Sequence, residues 1–285
     1  MKFFISTLNF STDTRKKISN VLPLMFDEGI SNIEISSFHP FEENIEEKLT
    51  RFIKKFNAEV LLHNFSPPAK EGFLLNLCDQ ESIFRKRAKE FIKERISLTK
   101  KLNMDYYSFH GGFRVNYKQG IHDYSERMER VEALDLFIDE LKEIMTFAEE
   151  ERVHIGVENH VAIHENTENL LLFDVEDFKY LFDKIRSKFL HLHLDLGHLK
   201  ITAKENKYDR DKFIEELGDK IVGMHVHDNT GIKVDCHAPF NHDFWFGSKH
   251  FKHLKNLKYC ILETKTYGDK ALINDMIDYL KESML

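Results

Sequence analysis

The sequence predicts an α/β fold: a (β/α)8 barrel forming a single domain over residues 1–285. Three observations predict it. Short apolar or β-branched runs alternate with longer amphipathic segments along the whole chain, and eight such runs can be counted. No glycine-rich phosphate turn follows the first run, as an open dinucleotide-binding sheet would require.

The first run, 3–8, leads into Leu8-Asn9-Phe10-Ser11, which lacks the glycines of such a turn. A helix-period segment at 13–27 precedes a run at 32–36, and one at 43–56 precedes a run at 59–63. Segment 81–101 leads to the run 106–110. In segment 125–151, Leu134, Phe137, Ile138, Leu141, Ile144 and Met145 make a stripe with helical spacing. The run 154–158, the helix 175–188, the run 190–195, the helix 209–217 and the run 221–227 continue the alternation. Residues 229–258 read as a long loop followed by a short helix, before a last run at 259–263 and a helix at 271–281. No linker, composition break or longer internal repeat interrupts the series.

Composition removes several classes of function. There are 41 Lys and Arg against 48 Asp and Glu, a net charge of −7, so the basic excess of a nucleic-acid-coating protein is missing. Cys78, Cys236 and Cys260 are too scattered for a disulfide framework and point to a reducing compartment. The start, MKFFISTLNFSTD, lacks a secretory apolar region. No later stretch approaches the roughly 18 apolar residues of a membrane span. The expectation is a cytoplasmic protein with no membrane partner.

A barrel of this kind carries its chemistry where its strands end. The third and fourth runs end at His63-Asn64 and His110-Gly111-Gly112, and the fifth at Glu158-Asn159-His160. The sixth reads His191-Leu192-His193-Leu194-Asp195, followed by His198; the seventh contains His225 and His227, with Asp235-Cys236-His237 in its loop. The eighth ends at Glu263. Alternation along a strand puts His191, His193 and Asp195 on the inner face and Leu190, Leu192 and Leu194 toward the helices; His225 and His227 likewise oppose Met224 and Val226. Carboxylates and imidazoles crowded in an interior need compensating charge, and a divalent cation supplies it. The oxygen and nitrogen donors suit Zn, Mn, Fe, Co or Mg. Of the remaining groups, Glu34 could serve a substrate, a neighbouring ligand or a structural ion pair, and Cys236 should point away from its flanking residues. His39, His122, His164, His242, His250 and His253 read as structural residues of loops or exposed helix faces.

With these residues in place, the chain resembles the xylose isomerase-like TIM barrels, which include sugar isomerases and epimerases and the apurinic endonuclease IV group. The resemblance is carried by Glu158, the Asp195-x-x-His198 spacing, His225, Asp235-x-His237 and Glu263. The stretches His63-Asn64-Phe65-Ser66-Pro67-Pro68 and Ser108-Phe109-His110-Gly111-Gly112-Phe113 look most like the sugar phosphate isomerase/epimerase members. The single-metal epimerase pattern implies Glu158, Asp195, His225 and Glu263 as ligands of one Mn, Zn, Co or Mg ion. The endonuclease IV pattern implies nine ligands, adding His63, His110, His198, Asp235 and His237, and up to three ions. Two flanking signatures depart from that second pattern: Asn159-His160-Val161 follows Glu158, and Ala238-Pro239-Phe240-Asn241-His242 follows His237 in place of Gly-x-Gly.

The resemblance therefore implies a metal-dependent sugar or sugar-phosphate isomerase or epimerase. Glu158 and Glu263 would move a proton on either side of an enediolate that the metal helps stabilise. His198 and His227 would bind hydroxyls, Phe65, Phe113 and Trp245 would form apolar walls, and Lys233 is the candidate cation where no Arg stands beside the seventh run. The alternative is a phosphodiester hydrolase with two or three metals, for which Arg114, Lys118, Lys200, Lys204, Lys207 and Lys233 could line a basic groove; the net charge leans against nucleic acid as the partner. Barrels of this class often pair, so a homodimer is a further expectation.

Overall fold

Eight parallel strands close into one barrel in the computed structural model, which describes residues 1–10, 16–118, 121–123, 127–163, 165–229 and 234–285. In chain order they are β1 (Lys2–Ser6), β2 (Asn32–Ile35), β3 (Glu59–His63), β4 (Tyr106–His110), β5 (His154–Glu158), β6 (Leu190–Asp195), β7 (Ile221–Val226) and β8 (Tyr259–Leu262). Each pairs with the next, and β8 pairs with β1 through Phe4↔Ile261 and Ile5↔Leu262. Around them lie α1 (Ile18–Asp27), α2 (Ile45–Phe56), α3 (Ser82–Lys101), α4 (Arg130–Glu151), α5 (Val175–Lys184), α6 (Leu196–Glu205), α7 (Arg210–Leu217), α8 (Ser248–Phe251) and α9 (Lys270–Glu282). The (β/α)8 architecture read from the sequence is the architecture found. Among the described residues no helix is long and apolar enough to cross a membrane.

Alternation along the strands sorts the side chains as the sequence implied. Leu190, Leu192, Leu194, Met224 and Val226 are buried between barrel and helices with Phe178, Leu181, Leu199 and Phe213. Their counterparts point inward. The lower barrel is filled by Phe4, Leu61, Tyr106, Val222, Tyr259 and Ile261, and the polar residues occupy the layer above. Val222 is skipped where β6 pairs with β7: Leu192 faces Ile221, His193 faces Gly223, and the bulge brings His225 level with Asp195.

Close approach at the floor of the polar layer depends on two glycines. A Cβ on Gly156 or Gly223 would collide with the Tyr106 hydroxyl, which is hydrogen-bonded to His193 Nδ1 at 2.7 Å. Gly156→Ala is therefore expected to destabilise the fold by about 1–3 kcal/mol through overpacking. A lower denaturation midpoint would show it; an unchanged midpoint would mean that the Tyr106 ring moves freely, contrary to this packing.

Several boundaries differ from the sequence reading. β1 stops at Ser6 and residues Thr7–Phe10 form a 3-10 turn. Asn9 draws the chain inward there: its amide donates to the Ser6 and Leu262 carbonyls and its oxygen accepts from Thr264 and Thr266. α1 begins at Ile18 instead of residue 13, and residues 11–15 lie outside the described set. α4 begins at Arg130, whose guanidinium is held by Asp174 and Asp177. α5 ends at Lys184 because the extended residue Ile185 turns into the core. A short antiparallel pair, Asn116–Lys118 with Ile121–Asp123, and helix α6 were not anticipated. His39 is a structural loop residue as the sequence implied, bonding the Lys16 carbonyl and the Thr7 hydroxyl, whereas His250 bonds Asp211 from a buried, not an exposed, position of α8. His164 lies outside the described residues.

Candidate metal and active site

The C-terminal ends of the strands converge on one cleft. His63, His110, Glu158 and Asp195 are the last residues of β3, β4, β5 and β6; His225 is the second-last of β7, and Glu263 follows β8 directly. His198 stands in the first turn of α6, and Asp235 and His237 belong to the loop after β7. The cleft encloses about 350 Å³ and is lined by His63, His110, Glu158, His198, Asp235, His237 and Glu263, with Phe38, Phe113, Val161 and Leu170 as its apolar walls. That volume lies within the range of small-molecule sites. A larger hollow of about 620 Å³ opens at the N-terminal mouth among Lys2, Glu59, Lys100 and Lys258, but none of the nine implied ligands lies there.

The nine residues form one continuous cluster. Glu158 lies between His63 Nε2 at 3.4 Å, His110 Nδ1 at 3.7 Å and His225 Nδ1 at 3.6 Å. His225 Nδ1 also faces Glu263 at 3.2 Å and Asp195 at 3.6 Å. On the other side, Asp235 Oδ2 is 3.2 Å from His198 Nε2 and 3.0 Å from His237 Nε2.

Local structure aims these groups. Asp195 caps α6 by accepting from the His198 backbone N–H at 2.7 Å, so one residue starts the helix and keeps its second oxygen in the cluster. Asn159 ties the ends of β5 and β6 together, donating to the Asp195 carbonyl and accepting from its N–H. His160 stacks on His110 and bonds the Gly111 carbonyl. His237 occupies the left-handed region at φ 49°, a conformation that histidine tolerates better than most side chains. These supports were not read from the sequence; only the Asp195 cap left a signal, in the apolar spacing of Leu196, Leu199 and Ala203 behind it.

Four histidines share a pattern. Each uses one ring nitrogen outside the cluster: His63 Nδ1 on the Ser108 hydroxyl, His198 Nδ1 on the Asn159 carbonyl, His237 Nδ1 on the Glu263 carbonyl and His225 Nε2 on Glu34. The other nitrogen points in. Both oxygens of Glu158, Nδ1 of His225 and Nδ1 of His110 are buried and have no hydrogen-bond partner among the described residues. Such atoms are costly unless something satisfies them. Inward ring nitrogens that can give up their protons, outward nitrogens held by partners and unsatisfied carboxylate oxygens are what a divalent cation requires, so the donor set fits the metal that the sequence implied.

The electrostatics follow from this crowding. Burial raises the Glu158 carboxyl, but His110, His63 and His225 outweigh it and hold Glu158 well below the usual carboxylate range. Burial pushes Glu263 up to about 7 against the opposing pull of His225 and His237. His225 is driven down by burial, yet Glu263, Glu34 and Glu158 raise it well above an ordinary histidine. His198 is also raised, as Asp195 and Asp235 outweigh its burial, whereas burial lowers His63 and His110.

Some residues assigned to substrate lie elsewhere. His227 is fully buried beneath the cleft, with Nε2 on Asp195 at 3.0 Å and its ring stacked on His237, so it sits in the ligand layer and does not line the cleft. Phe65 stacks on Phe91 and meets Phe73 edge-on, and Trp245 packs on Phe246 and His250 under the Arg210 guanidinium; neither lines the cleft. Phe113 and His198 do line it. Cys236 points to Asn229, away from the cluster. Lys233 lies outside the described residues, and the side chain of Lys118 is likewise not described. Lys200 is held by Asp228 and the Asn229 carbonyl, and Arg114 by the Met128 carbonyl, which leaves two members of the supposed basic groove engaged within the protein.

Comparison with known proteins adds the following. Residues 25–283 match the family described as xylose isomerase-like TIM barrel. An uncharacterized protein of Methanocaldococcus jannaschii is 26% identical over 284 residues, covering 99% of each chain. Among solved structures, a D-tagatose 3-epimerase-like protein superposes with a TM-score of 0.75 at 20% identity over 100% of both chains. An IolI protein with a binding zinc atom superposes with a TM-score of 0.70 at 13% identity over 99% of both.

Proposed function

The chain belongs to the xylose isomerase-like TIM barrel family, and on that premise we propose that it is a metal-dependent isomerase or epimerase of a small sugar or sugar phosphate. The observation that carries the reading is the pair Glu158 and Glu263, two buried carboxylates that line the same cleft and face the same nitrogen of His225. A proton shuttle on a carbon next to a carbonyl needs two such groups, one to take the proton and one to return it from the other side. A Mn, Zn, Co or Mg ion held by Glu158, Asp195, His225 and Glu263 would supply Lewis-acid polarisation of the substrate oxygens. His198 offers a polar contact at the cleft wall, and Phe113, Phe38 and Leu170 give a sugar face an apolar surface. The D-tagatose 3-epimerase-like protein and the zinc-binding IolI protein share the fold and are consistent with this chemistry.

The test is deuterium wash-in. Ketoses and their phosphates, incubated in D2O with protein loaded in turn with each metal, are expected to gain deuterium at the carbon that changes configuration, as read by NMR. No exchange across the panel would overturn the reading.

Phosphodiester hydrolysis is the second reading, favoured by one observation: His63, His110, His198, Asp235 and His237 extend the four-residue set into a nine-residue cluster. Elemental analysis of protein purified without chelator separates the two. About one ion per chain is expected for the isomerase; two or three Zn or Mn ions, with cleavage of DNA at an abasic site, would favour the hydrolase.

A further inference from the structure

Glu34 is 1% exposed, sits on β2 and lies within no motif, yet both its oxygens meet Nε2 of His225, at 3.0 and 3.1 Å. His225 is fully buried, and its Nδ1 faces Glu263, Asp195 and Glu158 without a hydrogen-bond partner among the described residues. A neutral imidazole carries one N–H, and an ionised carboxylate only accepts. With Glu34 behind the ring, the proton belongs on Nε2 and the lone pair on Nδ1.

We infer that Glu34 is a positioning residue for the metal site: it fixes the tautomer and orientation of His225 and turns the Nδ1 lone pair toward Glu158, Asp195 and Glu263. The inference rests on the metal-dependent reading given above. The outward partners of the other three histidines are neutral, the Ser108 hydroxyl and the Asn159 and Glu263 carbonyls. Of the four, only His225 bonds a carboxylate through its outward nitrogen. The Glu158 and Glu263 carboxylates stand 3.3 and 3.6 Å from His198 Nδ1 and His237 Nδ1, farther than the carbonyls those nitrogens bond at 2.9 Å. It is the inward nitrogen of His225 that faces three more carboxylates. A negative partner behind a ligating imidazole makes the ring a stronger donor and holds it still, and loss of such a partner typically weakens metal binding 10- to 100-fold. Glu34 shares the polar floor with His63, close enough for the three side chains to group around one point. Both of its oxygens are nevertheless engaged by Nε2, which assigns it the supporting role and leaves ligation to His225.

Co(II) titration tests this without any substrate. Chelator-stripped wild type, Glu34→Gln and Glu34→Ala would be titrated by calorimetry and by visible absorption, and each metal-free protein melted separately. Glutamine can still accept from Nε2–H, so Glu34→Gln is expected to bind about 10-fold more weakly and Glu34→Ala about 100-fold more weakly, each with an altered Co(II) spectrum. The metal-free midpoint of Glu34→Gln should change little, because the lost partner of His225 is offset by relief of one buried carboxylate from beside three others and by the hydrogen bond that glutamine keeps. A purely structural Glu34 would do the reverse, lowering the metal-free midpoint and leaving affinity and spectrum at wild-type values; that result overturns the inference. Equal loss of a whole metal equivalent in both variants also overturns it, by making Glu34 a ligand. Failure of the wild type to bind Co(II) would instead remove the metal-dependent reading on which the inference stands.

Discussion

Glu158→Gln is expected to lower sugar interconversion by about 10²- to 10⁴-fold, the usual contribution of a general acid or base. Glutamine preserves the shape of the side chain and removes its charge and its basicity. Glu158 is the hinge of the cluster, with His63, His110 and His225 all within 3.7 Å of its oxygens. The assay therefore has to be run at saturating metal, so that weaker metal binding and lost proton transfer are measured separately. Glu263→Gln gives the companion result. If the two carboxylates work from opposite sides of one carbon, each single variant loses inversion, while the one that keeps its base still exchanges the substrate proton with solvent. Deuterium exchange without inversion in one variant, and neither in the other, would identify which residue removes the proton from a given epimer. Turnover within about 10-fold of wild type in both variants would mean that neither carboxylate acts as the base.

The sequence disclosed most of this arrangement because its two periods are strong. In β6, alternation of leucine with His191, His193 and Asp195 states which face is buried against helices and which faces inward, and the structure follows it residue by residue. What stayed hidden depends on partners distant in the chain. Glu34 and His225 are 191 positions apart, so the sequence offers Glu34 as a substrate contact, the neighbour of a ligand or an ion-pair partner without deciding among them or naming the ligand it meets. His227 shares the face of His225, but β7 ends at Val226, and the Asp195 carboxylate holds His227 under the cleft. Phe65 and Trp245 follow strand ends as substrate walls do, yet large aromatic rings in long loops gain more from burial on one another than from lining a wet cleft. Helix α6 was missed because the Asp195-x-x-His198 spacing was read as ligand chemistry alone, although an aspartate three residues ahead of an amide it can cap is also a helix start.

Removal of divalent metal is expected to lower the thermal midpoint, and by more at pH 8 than at pH 6. At a metal concentration about 100 times the dissociation constant, binding stabilises the native state by about 2.7 kcal/mol. For a chain of this size each kcal/mol moves the midpoint by about 2–4 °C, which gives a shift of about 5–10 °C. The pH dependence follows from His225 and His198, which the surrounding carboxylates raise above ordinary histidine in the metal-free fold. A histidine raised on folding contributes stability that is complete below its unfolded pKa, near 6.5, and is lost as pH climbs through the higher folded value. Between those two values the unfolded chain has lost these protons while the fold still holds them against Glu158, Asp195, Glu263 and Asp235, so the metal-free protein loses stability as pH rises above about 6.5. Metal binding moves the other way, because the same nitrogens must lose their protons before they can ligate. The gap between the two melting curves should therefore widen with rising pH. A gap that narrows, or midpoints that coincide with and without chelator across this range, would show that buried proton-sharing among these side chains is itself the stable state and that no cation completes it.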